Sequence, residues 1–478
     1  MRTLHKLGLI GSFGAWLGGC AVGPNYHRPT VPTPTQYKEL AGWTAAAPAD
    51  ATPKGDWWTE FHDPLLDQLE PQVAVSNQTV RQSYANYQEA LAEVQVARSQ
   101  LFPSIGVTGS VTRSGGPGNT SALATGRTTH VVNAGTLEGS ASWTPDIWGK
   151  VRRQVEQNVA TAQSDEATLA NATLSEQTLL ATTVIQLRYA DSQIDLQKKT
   201  VQSFADALRI VKAQAEAGIT ATPPSAVITA QVALETAQAN LTGLGVARAQ
   251  YAHAIAVLVG KNPEDLDIPV STVMPTLPDI PAGMPSTLLQ RRPDIAAAER
   301  TMAAQNAGIG IAIAAYYPSI SLSAADGFTQ SPLNGLLHTA NNIWSVGASG
   351  TETIFDFGER HGEVQAAKAA YDAAVASYRG TVLSAFEAVE NDLSGLRILA
   401  DEARQLDTAV RDSIRGTEIA MQEFQAGTVD YTTVTVAQET QLADQQTQLS
   451  VQQTRLVDAV SLIGDVGGGW SDSQLHRP

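Results

Sequence analysis

Apolar residues alternate with polar ones in two short stretches of the first half of the chain. Ile105, Val107, Gly109 and Val111 fall on one face of a segment at about 104–113, and Leu137, Gly139, Ala141 and Trp143 do the same at about 137–145. Period-two alternation predicts strands, joined here by a loop over 114–136 rich in Gly, Asn and Thr. The period then changes. Residues 150–217 contain neither proline nor glycine, and Val201, Phe204, Leu208, Val211 and Ala215 step 3-4-3-4. That is the seam of a coiled coil in a helix reaching about 100 Å at about 1.5 Å per residue. Gly218 ends it, Thr222-Pro223-Pro224 turns the chain, and a return helix is predicted over 225–259. Ahead of the first strand, Asp63-Pro64 reads as a helix cap followed by proline at the first helical position. Helical pattern runs on to about Leu101 with a break near Ser76-Asn77.

The second half repeats this order. A helix starts at Arg291-Arg292-Pro293-Asp294 and stops before Pro318, strands fall at about 319–327 and 345–355, and helices at 359–426 and 432–463. Tyr371, Val375, Tyr378 and Val382, then Phe386, Val389, Leu393 and Leu396, continue the seam. Landmarks recur at nearly constant offset. Phe102-Pro103-Ser104-Ile105 returns as Tyr317-Pro318-Ser319-Ile320 after 215 residues, and Trp148-Gly149 returns as Phe357-Gly358 after 209. Ala217-Gly218 returns as Ala426-Gly427, also after 209. A tandem duplication governs the reading of everything else. It divides the chain into repeats at 57–262 and 286–466, a proline-punctuated linker at 263–285, and a flexible glycine-led tail at 467–478.

Four strands cannot close a barrel, and an open sheet leaves two edges unpaired. Strands of about 9–11 residues have the length that crosses a bilayer when tilted, and a sheet in lipid must close on itself. Closure then demands several chains, and three would bring twelve strands.

Net charge is −16 and only 16% of residues are charged, which argues against nucleic acid, whose binding wants a clustered basic face. No run of 18 apolar residues predicts a membrane-spanning helix. The N-terminus reads as an address: Arg2, His5 and Lys6, an apolar Leu7–Leu17, then Leu17-Gly18-Gly19-Cys20. This predicts a signal peptide over 1–19 and a lipobox, with diacylglycerol and an N-acyl chain on Cys20. Residues 20–56 then form an extended lipidated leader. Ala21, in place of Asp, resembles outer-membrane sorting of bacterial lipoproteins. Cys20 is the only cysteine, so no disulfide forms within the chain.

Candidate chemistry is sparse. The eight histidines are scattered without an i, i+4 pair, so no metal site is expected. Gly260-Lys261 lacks the preceding glycine of a phosphate loop, Gly308-Ile309-Gly310 sits inside a helical pattern, and Arg291-Arg292 reads as a solvated or paired helix entry. Without a catalytic constellation or a cofactor beyond the lipid, the expectation is a protein that is not an enzyme. A coiled-coil lipoprotein scaffold and a cell-wall enzyme are the rival readings, and the strands repeated at the same place in both halves favour a duct.

Cys20-Ala21-Val22-Gly23-Pro24-Asn25-Tyr26 resembles the mature start of the NodT-type outer-membrane lipoproteins, relatives of TolC and OprM. Ser286 through Pro318, with Leu288-Leu289-Gln290-Arg291-Arg292-Pro293-Asp294-Ile295, is similar to the same family, as is Ala254–Gly260. The resemblance implies a mainly α protomer with a small membrane β part, a homotrimer with a twelve-stranded outer-membrane β-barrel, and a periplasmic α-helical coiled-coil barrel. It implies a passive channel that exports drugs or other small molecules, docked to a periplasmic adaptor and an inner-membrane RND-type transporter. The family's periplasmic tips fall on Ala217, Gly218, Ile219 and Thr220, and on Gln425, Ala426, Gly427 and Thr428. Relatives often carry an aspartate several residues past each tip glycine. Here those stretches are Thr222-Pro223-Pro224-Ser225 and Thr433-Val434-Thr435-Val436, so only Asp430 offers a carboxylate. It either lines the entrance or caps the return helix. Tyr431, Thr433 and Val436 are the other gate candidates, expected to narrow the end by packing and hydrogen bonds.

Overall fold

The computed structural model describes residues 21–34, 36–39, 56–117, 129–218, 224–278 and 290–476. In chain order the elements are α1 (Pro64–Ser76), α2 (Gln78–Ser99), β1 (Ser104–Pro117), β2 (Thr129–Trp143), α3 (Lys150–Glu216), α4 (Pro224–Leu258), α5 (Pro293–Ala314), β3 (Ser319–Gln330), β4 (Asn342–Thr351), α6 (Glu359–Gln425) and α7 (Tyr431–Asp465). Both α3 and α6 have 67 residues, or about 100 Å at about 1.5 Å per residue.

The strands form one antiparallel sheet in the order β1-β2-β3-β4. Its first hairpin is longer than the expected 104–113 and 137–145, pairing from Ser104↔Ser142 to Pro117↔Thr129. Gly115-Gly116 breaks the apolar alternation but not the ladder, so much of the predicted loop is strand. At the other end β2 stops at Trp143 and β4 at Thr351, short of the expected 145 and 355. Pro145 has no N–H for a ladder, and Ile354 and Phe355 stand exposed in the turn into α6.

The helices pack around α3, which touches α2, α4, α5 and α7 along its length. Midway lies the largest core. Leu180, Val184 and Leu187 of α3 meet Val389 and Leu393 of α6, Leu456 and Val460 of α7, and Trp57, Trp58 and Phe61 ahead of α1. Each such side chain contributes about 1.5–3 kcal/mol on full burial. Nearer the sheet the packing passes through small residues, with Ala160 of α3 against Ala303 and Ala304 of α5. The break at Ser76-Asn77 is a double cap: Asn77 N closes α1 on Val73 O, and its side chain accepts from Thr79 N and Val80 N to start α2.

The described part of the leader, residues 21–34 and 36–39, is bound, and its sequence shows why. The built Cβ of Gly23 would lie 2.5 Å from Gly310 Cα, so the Gly308-Ile309-Gly310 pattern serves a close backbone crossing. Buried Arg153 donates to the carbonyls of Val22 (3.1 Å) and Gly23 (3.3 Å) and to the Asn25 side chain (2.9 Å). Tyr26 donates to buried Glu299, Tyr37 is buried in the mid-molecule core, and Glu390 accepts from Lys38 N and Glu39 N. The expected flexible tail is also packed. Gly467 and Gly468 lie against Arg291 O and Leu174, and His476 bonds to Glu166 through its backbone N–H and its ring. Arg292 is paired, with Asp294 at 2.8 Å and Asp465 at 2.9 Å.

Glu70 of α1 is fully buried and neither carboxyl oxygen has a partner. Burial pushes its carboxyl up to about 9, from an ordinary 4.5. Between those values the folded chain holds a proton that the unfolded chain has released, so stability falls as pH rises across that window. Glu70→Gln is therefore expected to raise the denaturation midpoint at pH 8 and to leave it nearly unchanged at pH 4.5, measured by denaturant melts at both pH values.

Candidate channel wall and helical tips

The two faces of the sheet differ in chemistry. One carries Ile105, Val107 and Val111 of β1, Leu137 of β2, Leu322 of β3 and Trp344 and Val346 of β4, all exposed. The register places them on one side, since Val107 opposes Gly139, Gly109 opposes Leu137, and Ala324 opposes Val346. The other face is hydroxyl-lined, and its rungs bond across strands: Ser104 with Ser142 at 2.8 Å, Thr136 with Thr329 at 3.3 Å, Ser321 with Ser349 at 2.8 Å. The apolar face is interrupted at Asp326, opposite Trp344 near the loop end of β4, where Asn342 donates to its carboxylate at 3.0 Å. Edges β1 and β4 have no partner among the described residues.

Asp146-Ile147-Trp148-Gly149 and its echo Asp356-Phe357-Gly358 make the hinge from sheet to helix. Asp146 accepts from Val151 N, Arg152 N and the Arg152 guanidinium. Asp356 does the same for Gly358 N, Arg360 N and the Arg360 guanidinium. The Arg360 bond, then the Gly358 N–H, hold the Asp356 carboxyl below its ordinary value. Gly149 and Gly358 sit at φ 83° and 94°, a conformation costly for other L-residues. Aromatic side chains ring this level. Trp148 stacks on Tyr317 with centroids 4.8 Å apart, Phe355 meets Phe357 at 4.4 Å, and Phe102, Tyr316, Phe355 and Phe357 are exposed. The sequence carried this signal, aromatics flanking each strand end, but alternation alone did not read it.

At the far end both long helices close in left-handed glycines, Gly218 at φ 70° and Gly427 at φ 76°. Gly427 N donates to Phe424 O and Thr428 N to Glu423 O, both at 3.0 Å: a Schellman cap. Ala426 N donates to Gln422 O, Ala217 N to Ala213 O, and Gly218 N to Ala215 O. A Cβ built on either glycine meets no atom of the described residues within 4 Å, so no described residue covers either backbone. Gln425 is the last residue of α6. Ile219 and Thr220 lie outside the described residues, as does Cys20.

The gate candidates separate. The Asp430 side chain accepts from Thr433 N at 3.2 Å and from its hydroxyl at 3.3 Å, capping α7. Tyr431 is buried, its ring 5.5 Å from Phe424, in a core with Leu208 and Val211 of α3, Ala226 and Ala230 of α4, and Val434. Burial raises its phenol. Thr433 and Val436 are exposed. Tyr431 thus ties the four helix ends of one subunit together, while Thr433 and Val436 stand on the exposed side of α7.

A two-faced sheet with free edges, hinged to helices of about 100 Å that each double back as a helix of 35 residues, is the build of a subunit of an outer-membrane channel. The outer membrane efflux protein family matches residues 69–261 and 284–468. The probable efflux pump outer membrane protein TtgC of Pseudomonas putida is 30% identical over 463 residues, covering 95% of this chain and 93% of that protein. Nodulation protein T of Rhizobium leguminosarum bv. trifolii is 29% identical over 431 residues, covering 88% and 86%. The outer-membrane channel OprN superposes with a TM-score of 0.86 at 28% identity, covering 94% of this chain and all of that one. The Campylobacter jejuni CmeC outer membrane channel, at 22% identity and a TM-score of 0.87 over 95% and 96% of the two chains, shares the fold. The chain belongs to the outer membrane efflux protein family.

Proposed function

We propose that three copies close their sheets edge to edge into one barrel of twelve strands, β4 of each beside β1 of the next, and that the assembly is a passive export duct. The two-faced sheet carries this reading. Its apolar side suits lipid, its hydroxyl side suits a water-filled lumen, and its unpaired edges require neighbours. The long helix pairs would continue the duct through the periplasm toward an adaptor and an inner-membrane RND-type transporter. Relatives described as antibiotic and toluene efflux pump outer membrane proteins support cargo of drugs or other small molecules. The lumen wall needs no catalytic group for this.

Lipidation of Cys20 fits the same picture. Val22 N donates to Trp148 O, and Ala21 lies against Gly149, so Ala21 stands at the foot of the sheet, level with the aromatic ring. Two or more acyl chains there would anchor stably where one alone would not. Planar-bilayer conductance together with the mass of the purified assembly tests the duct. A monomer without conductance overturns it.

The tips are the adaptor contact in this reading, and Gly218 and Gly427 separate strain from docking. A left-handed side chain costs about 1–2 kcal/mol whether small or large, and among the described residues neither glycine has a neighbour within 4 Å to clash with. The Gly218→Ala/Gly427→Ala variant is expected to keep most drug resistance in cells, and the corresponding double tryptophan variant to lose it with assembly intact. Full resistance in the tryptophan variant counts against tip docking. Since Asp430 is spent on capping, Asp430→Asn, which also caps, should change conductance block by periplasmic cations little.

A further inference from the structure

At the foot of the sheet lies a cavity of about 280 Å³ lined by residues 144–148, Lys150 and Val151 leading into α3, by Tyr317–Ile320, and by Thr351–Thr353 with Arg360. Its aromatic wall is rigid, because Trp148 stacks on Tyr317 and donates from Nε1 to Pro318 O at 2.8 Å. Most of its charges are matched internally. Asp146 pairs with Arg152 at 3.1 Å, while Glu352 (2.9 Å) and Asp356 (2.5 Å) share the single guanidinium of Arg360. One carboxylate is therefore in excess on that side. Lys150, also on the lining, is exposed and has no ion pair or side-chain hydrogen bond among the described residues. It is the first residue of α3, where the helix end disfavours a cation and favours an anion.

We propose that this cavity binds the headgroup of a phospholipid of the periplasmic leaflet, with a preference for an aminophospholipid. The phosphate meets Lys150 and the ammonium meets Glu352, whose own guanidinium partner is already shared. The acyl chains leave across Ile354, Phe355 and Phe102, all exposed at this level, where aromatic residues favour the membrane–water boundary. The position rests on the outer-membrane reading of the fold. The chain's own lipid is the competing occupant, since Ala21 touches Gly149 beside Trp148. A thioether-linked diacylglycerol carries no phosphate, however, and would leave Lys150 unmatched.

The test is native mass spectrometry of the purified full-length assembly, stripped of lipid and titrated with phosphatidylethanolamine or phosphatidylglycerol. The wild type is expected to retain phosphatidylethanolamine preferentially. Lys150→Gln should weaken both lipids about tenfold or more, the scale of a charge-assisted hydrogen bond. Glu352→Gln should erase the preference while phosphatidylglycerol still binds, and Cys20→Ser should change neither. Unaltered lipid binding in Lys150→Gln overturns the proposal, as does a wild type that retains neither lipid. Increased binding in Cys20→Ser would instead assign the cavity to the chain's own lipid. Membrane fractionation keeps the two readings apart. Wild-type protein absent from the outer membrane defeats the underlying reading, whereas correct fractionation with unchanged lipid binding defeats the cavity alone.

Discussion

Asp63→Ala is expected to destabilise the subunit by about 3–5 kcal/mol, the cost of leaving one charge of a buried pair alone, and to deplete the assembled protein from the membrane. Asp63 takes two bonds from Arg188, at 2.9 and 3.2 Å, and both side chains are nearly sealed from water. The same carboxylate caps α1 by accepting from Leu65 N at 2.7 Å. A domain's whole stability is about 5–15 kcal/mol, so this one contact joining α1 to the middle of α3 decides whether the largest core closes. Two companions divide the effect. Asp63→Asn keeps a capping oxygen but not the charge, and should fall between wild type and alanine. The double variant Asp63→Leu/Arg188→Met removes both charges and should recover most of the loss, because a buried pair exchanged for apolar side chains is often neutral. Denaturant melts and the yield of assembled protein in membranes check all three. A double variant as weak as Asp63→Ala would show that the pair does more than neutralise itself.

What could be read from the sequence follows from how local each signal is. Ile105, Val107 and Val111 alternate within seven residues and gave the strand and its apolar face directly. The seam through Phe204, Leu208 and Val211 likewise gave the helix and its buried side. The extension of β1 to Pro117 was hidden because Gly115 and Gly116 carry no side-chain pattern, and only the partner at Val131 and His130 defines them as strand. The leader and tail were hidden for a different reason. Arg153 meets Val22, 131 residues away, and His476 meets Glu166 across 310, and no local period encodes such pairs. The burial of Tyr431 is also local in the sequence. Tyr431, Val434, Thr435 and Gln438 step 3-1-3, the stripe of a helix's inner face, and all four are buried. The repeat offset of 209 aligned the tips correctly but says nothing about which side chains face an opening.

Val107→Arg and Thr108→Arg should have opposite consequences although they are neighbours on one strand. Val107 is 76% exposed in the single subunit, on the apolar face opposite Gly139, while Thr108 opposes Glu138 on the hydroxyl face. If the apolar face meets lipid, an arginine there costs about 2–4 kcal/mol at the bilayer midplane. That cost recurs in every subunit of the barrel. Val107→Arg is therefore expected to remove assembled channel from the outer membrane almost completely, as judged by trimer yield after fractionation. At position 108 the new guanidinium projects into water beside Glu138. Thr108→Arg should assemble near wild-type yield and shift reversal potentials in planar bilayers toward anions, because each subunit adds one positive charge to the lumen. The pair discriminates between architectures as well as faces. A sheet free in water would tolerate both arginines, and a scaffold that packs its apolar face on another protein would tolerate Thr108→Arg but carry no current for it to shift. Only a closed wall between lipid and a wet lumen makes one residue forbidden and its neighbour an adjustable lining. Normal yield of Val107→Arg, or loss of Thr108→Arg, would reverse or remove the assignment of faces on which the duct depends.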